Sequence, residues 1–145
     1  MGVQLVVGVG GDSGGEAAAQ FAARVASLTG GTVVLVFGYE SSALGPRGGA
    51  LEDEVGAVGT EITDAVKAQL AESHPDLTVE VELVRDRPVE SLIRVAEARG
   101  ADAIVVGHGG QGPMRGALLG SITYEIVHRS PVPVVVVPEP DEAED

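Results

Sequence analysis

Five short apolar runs alternate along this chain with four segments of helical period. Gln4 to Val9, Thr32 to Tyr39, Thr78 to Val84, Ala103 to Val106 and Val132 to Val137 are rich in Val, Ile and Leu, and Gly, Pro or polar residues bound them, as in strands. Thr32 to Tyr39 is almost continuously apolar, the pattern of a strand covered on both faces. Thr78 to Val84 alternates, the pattern of a half-exposed one. Ala18, Phe21, Ala22 and Val25 keep helical spacing after the Gly10-Gly11-Asp12-Ser13-Gly14-Gly15 turn, in a segment that runs to Leu28 and stops at Gly30-Gly31. Glu40 to Ala50, with Pro46 and three glycines, reads as a mobile loop. Leu51 then opens a helix with Val55, Val58, Ile62, Val66 and Leu70 in register, which Gly56 and Gly59 weaken by roughly 1 kcal/mol each relative to Ala. His74-Pro75-Asp76 marks a turn. Pro88, at a first-turn position, opens a third helix whose Val89, Leu92, Ile93 and Ala96 face inward until Gly100 ends it. Strands alternating with helices in this way predict one α/β domain: a mostly parallel sheet with helices on both faces, in three layers.

A chain of 145 residues is one ordinary domain, and its 44% hydrophobic content with only two Phe, two Tyr and no Trp means a core of Val, Ile, Leu and Ala. The absence of cysteine excludes disulfides, thiolate catalysis and thiolate metal sites, and fits a reducing compartment. No basic-then-apolar leader and no run of membrane-spanning length is visible, so the chain is read as soluble and cytoplasmic. A formal net charge of −13, with one lysine at Lys67, argues against general binding to nucleic acid or to an anionic membrane. Glu139 to Asp145 supplies five of the negative charges and reads as a solvated, disordered tail behind a domain spanning residues 1–138.

The richest chemistry lies where Ala103 to Val106 empties into glycines at 107, 109, 110, 112, 116 and 120 before a helix begins at Ser121. Free N–H groups of a first helical turn, added to the positive end of the helix dipole, make a site for phosphate or another anion. Gly120 lets a ligand approach the backbone, and the Ser121 hydroxyl either caps the helix or reaches a phosphate oxygen. No P-loop is possible around Lys67, so phosphate binding here depends on backbone amides, with Arg115 and a divalent cation as candidate counter-charges in so acidic a chain. His108 is either a phosphate contact or a plain loop residue; no partner stands at metal-ligand spacing, so no metal site is assigned. Arg115 likewise fits a phosphate contact or an exposed position. His128 and Arg129 suit a helix C-terminus.

Two other motifs lack their context. Gly11-Asp12-Ser13-Gly14-Gly15 has the letters of a serine-nucleophile segment, but no histidine precedes it, the chain is short for an α/β-hydrolase, and His74, His108 and His128 offer no clear partner. A tight turn and a helix cap explain it. Gly107-x-Gly-x-x-Gly112 matches a dinucleotide fingerprint but falls late in the chain with no helix at the right distance.

The spacing Gly107-x2-Gly110-x9-Gly120-Ser121, with Arg115, Leu118-Leu119 and the closing Pro-Val strand, resembles the universal stress protein family, and the same pattern extends from Leu5 to Val137. The resemblance implies an adenine nucleotide alpha hydrolase-like fold with a five-stranded parallel sheet in the order 3-2-1-4-5, and a homodimer through the edge strand Val132 to Val137. In that order the loops after strands 1 and 4 meet at the switch point, where ligands of such sheets bind. It further implies an adenine nucleotide, ATP with magnesium as the candidate cation, held by Gly107, His108, Gly110, Arg115, Gly120, Ser121, Ile122 and Thr123, with Val9, Gly10, Gly11, Asp12 and Gly38 on the base and ribose side. The role implied is regulatory, in a stress response, with slow hydrolysis at most because no general base stands out. Some members bind no nucleotide, and a dimeric interaction protein is the alternative. Three positions depart from the nucleotide-binding pattern: Gly10 where an aspartate follows the first strand, Phe37-Gly38 where the second commonly ends His-Val, and Asp86-Arg87-Pro88 where Gly-x-Pro precedes the third helix. These leave the phosphate half of the site intact and alter the base and ribose half, where glycine at 10 and 38 widens the pocket, shifts the ligand or leaves it unused.

Overall fold

The computed structural model describes residues 2–40, 49–109 and 119–139. Five strands, β1 (Gln4–Gly8), β2 (Thr32–Tyr39), β3 (Thr78–Arg85), β4 (Ala103–Gly107) and β5 (Val134–Val137), form one parallel sheet in the order β3-β2-β1-β4-β5. Helices α1 (Ser13–Thr29), α2 (Gly49–Ser73), α3 (Pro88–Arg99) and α4 (Ser121–Arg129) connect them. The expected strand order and layering therefore hold, and element ends shift by one to three residues, most at the start of α1. The loop expected over 40–50 and the tail beyond Glu139 lie mostly outside the described residues.

Strand periodicity explains both the apolar runs and the layers. Successive side chains point to opposite faces, so Leu5, Val7, Val33, Leu35, Ala103 and Val105 enter one core with α1 and α2. Val6, Val34, Val36, Ile104 and Val106 enter the other with α3 and α4. The chain steps outward from β1 to β3 and then back across to β4 and β5, and right-handed crossovers place the helices of these two courses on opposite faces. β3 alternates half-buried and exposed positions except at Val81 and Glu82, which are both half-buried, and β5 is half-buried throughout, as suits the two edges.

Helix α1 lies low over the sheet because its inner face is almost all alanine. Ala18, Ala19, Ala22, Ala23 and Ala26 are fully buried, and small side chains let a helix axis approach closely. Its start, Gly14-Gly15, is buried as well. Asp12 is the N-cap, its Oδ1 accepting from the Gly15 N–H at 2.9 Å, and Gly30 in a left-handed conformation closes the helix. The helix cap read into this glycine segment is present, carried by Asp12, whereas Ser13, Gly14 and Gly15 belong to the helix itself rather than to the turn expected over residues 10–15.

Helix α2 departs from the expected register at one turn. Val66 and Leu70 are buried and Ile62 packs on the core, but Val58 is 50% exposed and Gly59 takes the inward position. The reason is the Phe37 ring: a β-carbon on Gly59 would stand 2.5 Å from its Cδ2. Gly56 has no such neighbour, its nearest atom being the Tyr39 hydroxyl oxygen at 4.0 Å.

Ion pairs fasten the second layer. Arg99 of α3 reaches Glu80 at 2.5 Å and Glu82 at 2.8 Å on β3. Arg129 of α4 pairs with Glu90 of α3 at 2.8 Å and with Glu125 at 2.6 Å. The hydrogen bond from Arg129 holds the Glu90 carboxyl below the usual range, and the same contact raises the Arg129 guanidinium.

Two stability measurements follow from this packing. Gly56→Ala should stabilise the fold by up to about 1 kcal/mol through helix propensity, whereas Gly59→Ala should lose that gain or destabilise, because the Phe37 ring must move; urea titration of both compares them. Glu90, with its folded pKa depressed, contributes stability that is present above the unfolded pKa and lost as pH falls through the folded one. Glu90→Gln should therefore lower the melting temperature at neutral pH, and the gap to wild type should close under acid; a gap constant across pH would contradict the linkage.

Candidate functional site

The carboxyl ends of β1, β2 and β4 open onto one cavity of about 300 Å³ at the point where the strand order reverses. Val9 and Gly10 from the end of β1 line it with Asp12, Gly14 and Gly15 from the start of α1. Val36, Phe37 and Gly38 enter from β2, and Pro88 and Leu92 from α3. Val106 and Gly107 at the end of β4 and Gly109 after it meet Gly120, Ser121, Ile122 and Thr123 at the start of α4.

Close backbone contact makes this convergence possible. A β-carbon on Gly107 would stand 2.7 Å from the carbonyl carbon and oxygen of Gly14, so β4 and α1 can meet here only without a side chain at 107. One on Gly120 would stand 2.6 Å from the Gly109 carbonyl oxygen. The two ends of the glycine loop are tied together by the Gly120 N–H donating to the His108 carbonyl at 3.1 Å and the buried Thr123 hydroxyl donating to the Gly107 carbonyl at 2.7 Å.

These ties set the chemistry at the start of α4. Gly120 is the N-cap and has no side chain, so the cap residue itself offers the first-turn N–H groups no side-chain acceptor. Ser121 is the first helical residue and does not cap the helix, which settles one of its two expected roles. Ser121, Ile122 and Thr123, at the positive end of the helix, line the cavity. Helix α1 differs, because Asp12 already occupies its cap.

The sequence-derived site residues divide. Val9, Gly10, Asp12, Gly38, Gly107, Gly120, Ser121, Ile122 and Thr123 surround this cavity. Gly11 faces a second hollow with Ile62 and Glu61 of α2, and His108 takes part through its backbone carbonyl. Gly110 and Arg115 lie outside the described residues. Gly8, Gly14, Gly15, Val36, Leu92, Val106 and Gly109 also line the wall without having been named as site residues, since their signals were those of strand, turn and helix, and they are joined by Phe37 and Pro88, which the sequence marks only as departures from the family pattern.

The two altered glycines are not equivalent. Among the described residues nothing lies within 4 Å of a β-carbon placed on Gly10, so they leave open space there. At Gly38 the space is taken: a β-carbon would stand 2.4 Å from the Oγ of Ser91, a buried residue that donates to the Arg87 carbonyl at 2.8 Å and the Asp86 carbonyl at 3.2 Å. Glycine at 38 makes room for α3 and does not widen the pocket.

The donor set does not suit a magnesium ion held by the protein. Asp12 is the only carboxylate among the described residues of the wall, and its Oδ1 is engaged by the Gly15 amide. No group of three His, Asp or Glu side chains among the described residues is placed to hold a metal. Nor do the described wall residues include Lys, Arg or His.

The sequence and the fold have counterparts among known proteins. The model of the universal stress protein family matches residues 4–138. Universal stress proteins Rv2005c of Mycobacterium tuberculosis and Mb2028c of Mycobacterium bovis are each 30% identical over 135 residues, covering 91% of this chain and 44% of theirs. The chain thus spans under half the length of these relatives. Among solved structures, MJ0577 of Methanocaldococcus jannaschii superposes with a TM-score of 0.81 at 21% identity, covering 98% of this chain and 99% of that one. A universal stress protein in complex with cAMP gives 0.68 at 26% identity, with 96% and 98% covered. One from Archaeoglobus fulgidus in complex with dAMP gives 0.71 at 22% identity, with 93% and 97% covered. On its sequence match and its fold together, the chain belongs to the universal stress protein family.

Proposed function

We propose that the cavity binds an adenine nucleotide, ATP or a related one, in a regulatory role in a stress response, with slow hydrolysis at most. The observation that carries this reading is the start of α4, where the cap residue is a glycine and Ser121, Ile122 and Thr123 line a cavity at the sheet's switch point. An anion there meets donors already fixed in place by the Gly107–Thr123 and His108–Gly120 hydrogen bonds. The apolar walls from Val36, Phe37, Pro88 and Leu92 suit a flat base. The cAMP and dAMP complexes of two structural relatives support adenine as that base.

No described wall residue is a histidine, and Asp12, the only carboxylate there, serves as a helix cap. That is why the reading assigns binding rather than efficient turnover. The protein acts as a homodimer in this account, through the half-buried β5, whose outer edge faces away from β4. A cytoplasmic setting suits the cysteine-free acidic chain, and residues 1–138 act as the nucleotide-binding domain with the acidic segment behind it.

A second reading is favoured by Gly10, where the open space leaves the ribose side without the acid typical of nucleotide-binding members. In it the glycine loop is inherited architecture and the dimer is an interaction module. Native and denaturing mass spectrometry of the purified protein separates the two: co-purified AMP, ADP or ATP on a dimer is expected, whereas an empty dimer that ignores millimolar ATP supports the interaction module. Gly120→Val, which pushes against the Gly109 carbonyl, should weaken nucleotide binding at least about tenfold by displacing the α4 amides, with the dimer mass kept in light scattering. Unchanged affinity in this variant, or a monomeric wild type at micromolar concentration, would contradict the respective assignment.

A further inference from the structure

The second hollow, of about 250 Å³, opens between the start of α1 and the middle of α2. Its floor is apolar, made by Val9 after β1 with Ile62, Ala65 and Val66 of α2. Gly11, in a left-handed conformation at φ 91°, lies against Ile62, where a β-carbon would stand 3.0 Å from Cδ1. A side chain at 11 would push into that floor. Asp12, Glu16 and Glu61, all exposed, form the rim.

Helical geometry carries the floor further along α2. The helix buries Gly59, Thr63, Val66 and Leu70, and Val55, Val58, Ile62 and Ala65 follow one another on the flank beside them at steps of three and four residues. Val58 is 50% exposed, and Val55 and Ile62 are half-buried. That flank is about 15 Å long at helical rise, so apolar surface continues past the hollow itself.

The charges beside this strip differ from those of the opposite layer. There Glu80, Glu82, Asp86, Glu90 and Glu125 all pair with arginines of α3, its cap or α4. Here Glu16 and Glu61 make no ion pair or side-chain hydrogen bond among the described residues, and Asp12 accepts from the Gly15 amide. An apolar strip edged by carboxylates is complementary to an apolar strip edged by cations. A second copy of this chain would bring the same net charge of −13 against it, and a single small amine would leave most of its length uncovered.

We infer that this flank of α2, with the hollow beside it, docks a basic amphipathic helix of a partner protein. The partner's apolar side chains fill the hollow and cover Val55 and Val58, and its Arg or Lys heads reach Glu16 and Glu61. The inference is independent of what the cavity at the switch point binds.

The probe is a synthetic amphipathic peptide with leucines three and four residues apart on one face and arginines flanking them, titrated by calorimetry at physiological ionic strength. A control peptide keeps the arginines and replaces the leucines with serine. Wild type should bind the first saturably and the second at least about tenfold more weakly. Glu61→Lys should weaken the first peptide about five- to tenfold and Val58→Ser about threefold, whereas Glu97→Lys, the same charge change on α3, should cost less than about twofold. Both test positions are exposed, so the fold should survive, and thermal melts check it. Equal losses in Glu61→Lys and Glu97→Lys, or equal binding of the two peptides, would reduce the effect to overall charge and overturn the inference. So would no binding of the leucine peptide at millimolar concentration. Binding of n-butylguanidinium as tight as that of the peptide would give the hollow to a small cation, and a native mass altered by Glu61→Lys would give the flank to a second copy; either contradicts a partner helix.

Discussion

The fold's functional end depends on the backbone of Gly107 lying directly against that of Gly14. With no room for a β-carbon between them, the last residue of β4 and the first turn of α1 share one wall. The contact is reached from below by the alanine face of α1, which lets the helix sit low on β1 and β4. It is continued above by Thr123, whose hydroxyl ties the start of α4 to the same Gly107 carbonyl. Two helix starts and the ends of three strands are thereby drawn around one space. A side chain at 107 would force α1 and β4 apart and separate the two helix starts.

The same economy explains the polar chemistry of the site. Helix α1 spends its cap on Asp12, and α4 has a cap residue with no side chain, so the two starts present different faces to the cavity. One is capped by the Asp12 carboxylate, and the other has a glycine cap that offers no side-chain acceptor. In a chain with a net charge of −13, an anion site made of fixed amides is compatible with the surrounding field only because the donors sit at short range and need no reorganisation. This asymmetry, more than any single side chain, gives the cavity a direction: apolar walls from β2 and α3 at one end, amides at the other.

Much of this was legible in the chain. Strand period and glycine punctuation located nine elements to within a few residues, because those signals follow from backbone geometry, and the strand order came with the family resemblance. What escaped were features set by contacts between distant segments. Gly38 looks like lost pocket wall in sequence, but Ser91, fifty-three residues later, fills its space. Val58 keeps the helical period of α2, yet Gly59 faces inward because the ring of Phe37 on β2 needs the room. Gly11 and Gly10 are neighbours in a glycine run, and only the fold shows that they face different hollows. Charge alone assigns Glu139 to solvent, and its bond to Ser13 spans the whole domain.

The central claim is that the first-turn amides of α4 receive the phosphate of an adenine nucleotide. Amide NMR during an AMP titration tests it most directly. Saturable shifts at Ser121, Ile122 and Thr123, together with Gly10 and Gly38 on the opposite wall, are the predicted result. An absence of shifts at saturating AMP, or shifts confined to Gly11 and Ile62 beside the second hollow, would contradict it.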